Sequence, residues 1–201
     1  MRKKNIPSKI ISSCIFSVIS FFFFSCGSGG NFNPRPRGLN HIEIPEHAYQ
    51  SWNNDTSLYS FEHSKFSDVT SFKGKLDQQI ISYNNGLEAK IWLTYFPINN
   101  IEDSLAAYIY TSYKLLQKHN VRASAIINDT IGTSDGRKAR VFYLEGDVPS
   151  MYQFYIHDST TNFLRGAMYF ETAVKNDSLK PVYDYVREDI NHLLESLEWH
   201  Q

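Results

Sequence analysis

Cysteine is nearly absent from this chain of 201 residues, which has only Cys14 and Cys26. Cys14 lies in an apolar segment read below as an export signal, so a processed chain would keep Cys26 alone. A single thiol excludes a disulfide within that chain and any cysteine-based metal site. Basic charge is also scarce. Four of the 20 Lys and Arg precede residue 26 and none of the 21 Asp and Glu does, which leaves a net charge of −5 from there on. A mildly acidic domain lacks the electrostatic footprint of a nucleic-acid binder. The seven histidines include no pair at helical metal spacing. His41, Glu43, Glu46 and His47 crowd together, but Pro45 interrupts them and they read as surface polar groups rather than a cation site. No serine sits in a nucleophile elbow, and no glycine-rich loop could cradle a phosphate. Glu145 and Asp147 flank Gly146, a carboxylate pair for which the sequence defines no pocket. No catalytic, cofactor or metal residue is therefore assigned, and no internal repeat is present.

Phenylalanine, by contrast, comes four in a row before a sudden change of character, "FFFFSCGSGGN". Arg2, Lys3, Lys4 and Lys9 form a basic start, and "IISSCIFSVISFFFF" follows without charge. A run of roughly 15 residues suits a secretory signal, whereas a helix crossing the bilayer core needs about 20. Ser25 stands directly before Cys26 with Phe23 and Phe24 ahead of it. That is the layout of a lipobox, with Phe23 where Leu is usual. Cleavage between Ser25 and Cys26 would leave a lipidated Cys26, carrying acyl chains such as palmitate, as the first residue. Two alternatives remain: ordinary secretion with a cut after Gly27, and an uncleaved anchor. Lipidation is favoured because it turns a solitary thiol into a firm tether, several acyl chains holding where one binds reversibly.

Three segments follow: residues 1–25 as lipoprotein signal peptide, 26–38 as flexible tether, and 39–201 as a single α+β domain. "GSGGNFNPRPRG" has neither helical nor strand period and mixes flexible with extended composition. Arg35 and Arg37 in it are candidates for contact with anionic headgroups or a partner, against the plainer reading of solvated linker.

Beyond Leu39, short aromatic and β-branched runs alternate with turn residues. "HIEIPEHAY" starts as a strand and breaks at Pro45, and "LYSFEHSKFSDVTSF" reads as a hairpin or a pair of short strands. In "QQIISYNNGLEAKIWLTYFP", Asn84, Asn85 and Gly86 supply a tight hairpin turn. Ile91, Leu93 and Tyr95 alternate with Trp92, Thr94 and Phe96, so both faces are apolar and a central strand covered on both sides is expected. "NNIEDSLAAYIYTSYKLLQKHN" has helical spacing, with Asn100 as cap, Glu102 and Asp103 in the first turn and Asn120 as a left-handed stop. Two further hairpins are expected at "TSDG" and "DSTTN". The final segment, "DSLKPVYDYVREDINHLLESLEW", reads as a helix capped by Asp177 or Ser178 with Pro181 in its first turn. Its buried stripe is Val182, Val186, Ile190, Leu193 and Leu197, with the acids and His192 opposite. The expected fold class is α+β: an antiparallel β-sheet packed against two long helices, by analogy an α/β sandwich of the PsbP and Mog1 kind.

Two long blocks, "PRPRGLNHIEIPEHAYQ" and "VPSMYQFYIHDSTTNFLRGAMYFETAVKNDSLKPVYDYVREDINHLLESLEW", closely resemble the GldD family of gliding-motility lipoproteins of Bacteroidetes. "LAAYIYTSYKLLQKHNVRASAI" and "GRKARVFYLEGDVPS" fit the same family, so the likeness spans nearly the whole processed chain. It implies a lipid-anchored, non-catalytic accessory component of the gliding machinery, which shares parts with the type IX secretion system. Other machinery proteins of the envelope would be its partners, and the membrane would be reached through the anchor. Cys26 is the one functional residue that carries over. No acid follows Cys26 closely, which favours the periplasmic face of the envelope. The phylum also implies O-glycosylation at Asp-Ser/Thr triplets, with Ser159 the best candidate, Thr130 a second, and Ser104 and Ser178 at predicted helix starts. The competing hypothesis is a tethered periplasmic enzyme or small-ligand binder, which would need a deep pocket around Glu145, Asp147 and His157. A shallow aromatic patch would instead favour docking.

Overall fold

Alternation in "AKIWLTYFP" places Ala89, Ile91, Leu93 and Tyr95 on one face, and all four are buried. The same period of two recurs in Tyr59–Ser64 and Asp77–Tyr83, and the described residues form ten strands in all. These are β1 (Tyr49–Trp52), β2 (Tyr59–Ser64), β3 (Ser67–Lys73), β4 (Asp77–Tyr83), β5 (Ala89–Pro97), β6 (Ala123–Gly132), β7 (Lys138–Gly146), β8 (Tyr152–His157), β9 (Asn162–Phe170) and β10 (Glu198–Trp199). Among the described residues two helices interrupt them, α1 (Ala106–Gln117) and α2 (Asn176–Glu195). The computed structural model describes residues 43–55, 57–73, 76–84, 86–99, 104–170 and 176–200. The export segment, Cys26, His41, and the tether with Arg35 and Arg37 lie outside the described residues.

Seven strands form one antiparallel sheet in the order β3-β4-β5-β9-β8-β7-β6, and β1-β2-β10 form a small second sheet. The three hairpins β4–β5, β6–β7 and β8–β9 fall where the turn residues place them. Gly86 takes φ +82° in the first, a conformation only glycine adopts freely. The second turn is pinned by Asp135, which accepts from the Thr133 hydroxyl and from the Arg137 side chain. β2 and β3 are a pair of short strands rather than a hairpin. After Ser64 the chain leaves the small sheet for the edge of the large one, so the two never pair.

One face of the large sheet carries α2 and the small sheet. Tyr59 and Phe61 of β2, Ile81 and Tyr83 of β4, Tyr152 and Phe154 of β8 and the α2 stripe form the main core. Val182, Val186, Ile190, Leu193 and Leu197 are all buried, and each such side chain contributes roughly 1.5–3 kcal/mol. The other face carries α1. Leu116 is buried there with Phe142, Tyr155 and Phe163, and Tyr108, Ile109 and Tyr113 pack alongside.

The helices depart from expectation. Two long ones were anticipated, whereas α1 has 12 residues and the sheets dominate. The expected cap Asn100 and the acids Glu102 and Asp103 lie outside the described residues. Leu105 stands at the N-cap without a side-chain bond. Among the described non-glycine residues only Glu88 and Ser159 have positive φ, so Asn120 is not a left-handed stop; the chain leaves α1 through successive turns. α2 begins at Asn176, ahead of its expected caps, which moves Pro181 past the first turn. The same helix ends sooner than periodicity suggested. Leu197 keeps its place in the core, but Glu198 and Trp199 turn extended and pair with β2.

Candidate functional site

Ser159 and Thr130 are both exposed. Ser159 holds φ +69° at the tip of the β8–β9 turn, its Oγ 3.2 Å from His157 Nδ1. Asp158 stiffens that turn by accepting from the backbone N–H groups of Thr160, Thr161 and Asn162. These bonds stabilise the carboxylate against its burial and hold its pKa well below the usual carboxylate range. Thr130 lies on β6, an edge strand, with its Oγ1 3.4 Å from Arg140 Nη1. Ser104 precedes α1 and Ser178 falls inside α2.

Glu145 and Asp147 do come together, at the rim of a cleft of about 750 Å³ between β6, β7 and the first half of α2. Tyr143, Tyr183, Lys180 and Arg187 line it as well. His157 does not; it lines a separate recess of about 280 Å³ with Lys138 and Arg140. Both cleft cations lean on one carboxylate, Lys180 at 2.8 Å and Arg187 at 3.4 Å from Asp184. Burial raises the Tyr143 phenol and pushes Tyr183 up to about 12. Those shifts favour the protonated phenols and move them away from service as bases near neutral pH.

A polar seam went unread in the sequence. Asp189, expected on the solvent side of the last helix, is 2% exposed. It accepts a hydrogen bond from the Tyr83 hydroxyl at 2.8 Å and stands 2.7 Å from His47 Nδ1. His47 Nε2 lies 3.2 Å from Glu188. Both nitrogens of His47 are thus engaged by acids of α2, and its ring stacks on Tyr185 at 4.3 Å. Tyr49 stacks on His192 at 3.6 Å, and His192 pairs with Glu62 at 2.6 Å. The seam fastens residues 47–49 to α2, and so replaces the loose surface role expected for His47. Among the described residues no cluster of His, Cys, Asp and Glu could hold a metal ion.

Three histidines give the fold a pH dependence. Burial lowers the pKa of His63, His119 and His157 below the ordinary value; for His63 the Ser64 backbone bond, Asp68 and Asp189 oppose this without cancelling it. A depressed histidine favours folding while it stays neutral, so its contribution is present above about pH 6.5 and is lost as the unfolded chain takes up protons below that. The urea midpoint should be flat from pH 8 to 7 and fall by pH 5.5, less steeply in His63→Gln. A further loss below about pH 4 is expected from Asp158, whose depressed carboxyl stabilises the fold only while ionised.

The α1 face of the large sheet is only half covered. Register places Phe142, Gln153, Ala167, Trp92, Ile80 and Thr70 in one row across β7, β8, β9, β5, β4 and β3. Phe142 lies under α1 with Tyr113 against its edge, but at the other end Trp92 is 42% exposed. In the adjoining rows Phe72 is 49% and Tyr169 37% exposed. None of these three aromatics belongs to either core cluster. The expectation that β5 would be covered on both sides is corrected in part: on the Trp92 face Thr94 is buried and Phe96 packs against Tyr108 of α1, but Trp92 itself stands open.

An antiparallel sheet layered between helices, with a second small sheet beside one of them, defines an α+β sandwich. Its marked surface feature is an aromatic sheet face. Residues 29–199 match the family described as gliding motility lipoprotein GldD, and the chain belongs to it. Its setting is therefore the gliding apparatus and the cell envelope. No curated protein matches the sequence. Among solved structures, the chain is similar to the solution structure of CyanoP, the cyanobacterial PsbP of Synechocystis sp. PCC 6803. The TM-score is 0.49 at 9% identity, covering 80% of this chain and 96% of that one. That likeness is too distant to speak for function.

Proposed function

We propose that this lipoprotein is a non-catalytic accessory of the gliding machinery, linked to type IX secretion. It is lipidated at Cys26 on the periplasmic face and docks other envelope proteins. Family membership carries the setting, and the open aromatic face around Trp92 carries docking. Water-facing positions of a sheet ordinarily alternate to polar residues, and large exposed aromatics mark interaction surfaces. Among the described residues no helix is long and apolar enough to cross a membrane. In a deletion strain complemented with Cys26→Ser, the protein should leave the membrane fraction and both spreading and secretion should fall close to the deletion level. Full restoration by the unlipidated form would remove the anchor from the mechanism.

The cleft beside Glu145 and Asp147 favours a second reading, a tethered enzyme or small-ligand binder. Native mass spectrometry of the protein from its own cells would establish it by showing a small molecule that Arg187→Glu releases.

A further inference from the structure

The charges on the half-covered face are strongly one-sided. Following the register over all seven strands, the outward positions among the described residues carry Lys90, Lys138, Arg140 and Arg165, against one carboxylate, Asp68. The whole chain is net negative, so this face inverts the sign of the protein around it. Arg165 lies in the row beside Trp92, its guanidinium 5.6 Å from the centre of the Phe96 ring. Lys90 pairs across β5 and β9 with Tyr169, on the other side of Trp92. Aromatic floor and cationic flanks thus alternate across β5 and β9, and Ile80 and Phe72 extend the floor to the sheet edge.

The shape selects the partner. α1 is laid on the same face, seated on Phe142, Tyr155 and Phe163. A helix is about 10 Å across, so α1 rises by that much over the floor that holds Trp92. A flat bilayer would meet the outer side of α1, where Tyr110 is 67% exposed, before it reached Trp92. An object of helical width alongside α1 reaches the floor and extends a layer the fold already uses. Affinity for such a groove comes from apolar residues at helical spacing, and register from complementary charge at the flanks.

We propose that an amphipathic helix of a partner protein, apolar along one stripe and acidic on its flanks, lies across β3, β4, β5 and β9 beside α1, seated on Trp92, Ile80 and Tyr169 and facing Lys90 and Arg165. This rests on the docking reading above and adds the face and the chemistry of the partner.

The test uses the full-length chain in its own cells with a photo-crosslinking p-benzoylphenylalanine at position 92, and at position 127 in the α2-side cleft as a second site. The expected result is a crosslink from position 92 that peptide mapping assigns to a helical segment with an apolar stripe and flanking Asp or Glu. Its yield should drop about tenfold when Lys90→Glu and Arg165→Glu are combined, with the circular dichroism of the protein unchanged. A crosslink from position 92 to lipid, or to a segment that is basic or extended, overturns the proposal. So does a protein partner captured from position 127 alone, which would keep docking and move it to another surface. No capture from either position overturns both this inference and the docking reading.

Discussion

Gly166→Val should lower the stability of the domain by about 3 kcal/mol, the upper end for overpacking a filled core. Gly166 on β9 pairs directly with Phe154 on β8. The Phe154 ring folds back over the glycine, so that a β-carbon there would lie 2.9 Å or less from three ring atoms. The ring cannot swing clear, because Phe154 is 1% exposed and sits in the main core with the α2 stripe. Even alanine must displace packed atoms, and valine adds two methyl groups to the same clash. In urea unfolding followed by circular dichroism, the midpoint should drop in the order wild type, Gly166→Ala, Gly166→Val. Adding Phe154→Leu should restore part of the loss in the alanine variant, because the smaller side chain frees the space the new methyl needs. If Gly166→Val unfolds at the wild-type midpoint, the tight approach of ring to backbone is not a feature of the folded protein.

The other edge of β9, where Gly166 meets Leu93 of β5, shows where sequence reasoning reached its limit. β4–β5, β6–β7 and β8–β9 are local hairpins, and their turn residues (Gly86, Asp135, Asp158) announce them. The central pairing of β5 with β9 joins Ala89 to Phe170 across α1 and three strands. No local pattern specifies so distant a partner, and from sequence Gly166 was one residue in a predicted strand. Periodicity also shows that β5 has two apolar faces without showing which of them receives a cover. α2 and the small sheet together cover one face, whereas α1 alone is too short for the other, so Trp92 remains in solvent. The tail was misjudged for a related reason. Leu197 fits a helical stripe, yet β2 has an edge that Glu198 and Trp199 can join, and this pairing outweighs continuing the helix. The candidate site divides the same way. The motif around Cys26 is local, so a sequence can state it as an expectation, while the open aromatic face requires four strands, β3, β4, β5 and β9, to be aligned before it exists.

Asp189 is the clearest case of a residue whose role its helical phase conceals, and its replacement should be the most damaging single change on α2. Asp189→Ala is expected to cost about 3–5 kcal/mol, the range for removing one partner of a buried charged cluster. The carboxylate serves two elements from distant parts of the chain, accepting from the Tyr83 hydroxyl on β4 and holding His47 ahead of β1. Tyr83 is buried, and both burial and the neighbouring carboxylate raise its pKa well above the ordinary phenol value, so its hydroxyl remains a donor that needs an acceptor. Without Asp189 that donor stays buried and unpartnered, a penalty of about 1–3 kcal/mol by itself, and the vacated volume adds a cavity term. Asp189→Asn keeps the shape and one acceptor oxygen, so its loss should fall between wild type and alanine. A double-mutant cycle with Tyr83→Phe separates the contributions. Removing the hydroxyl removes the orphaned donor, so Asp189→Ala should be milder by about 1–3 kcal/mol in the Tyr83→Phe background. The other half of the cluster has its own readout. Once His47 is released from α2, limited proteolysis should cut within residues 43–52 under conditions that leave the wild-type chain whole. Equal resistance there, together with additive Tyr83 and Asp189 effects, would mean that the seam does not tie the start of the domain to its last helix.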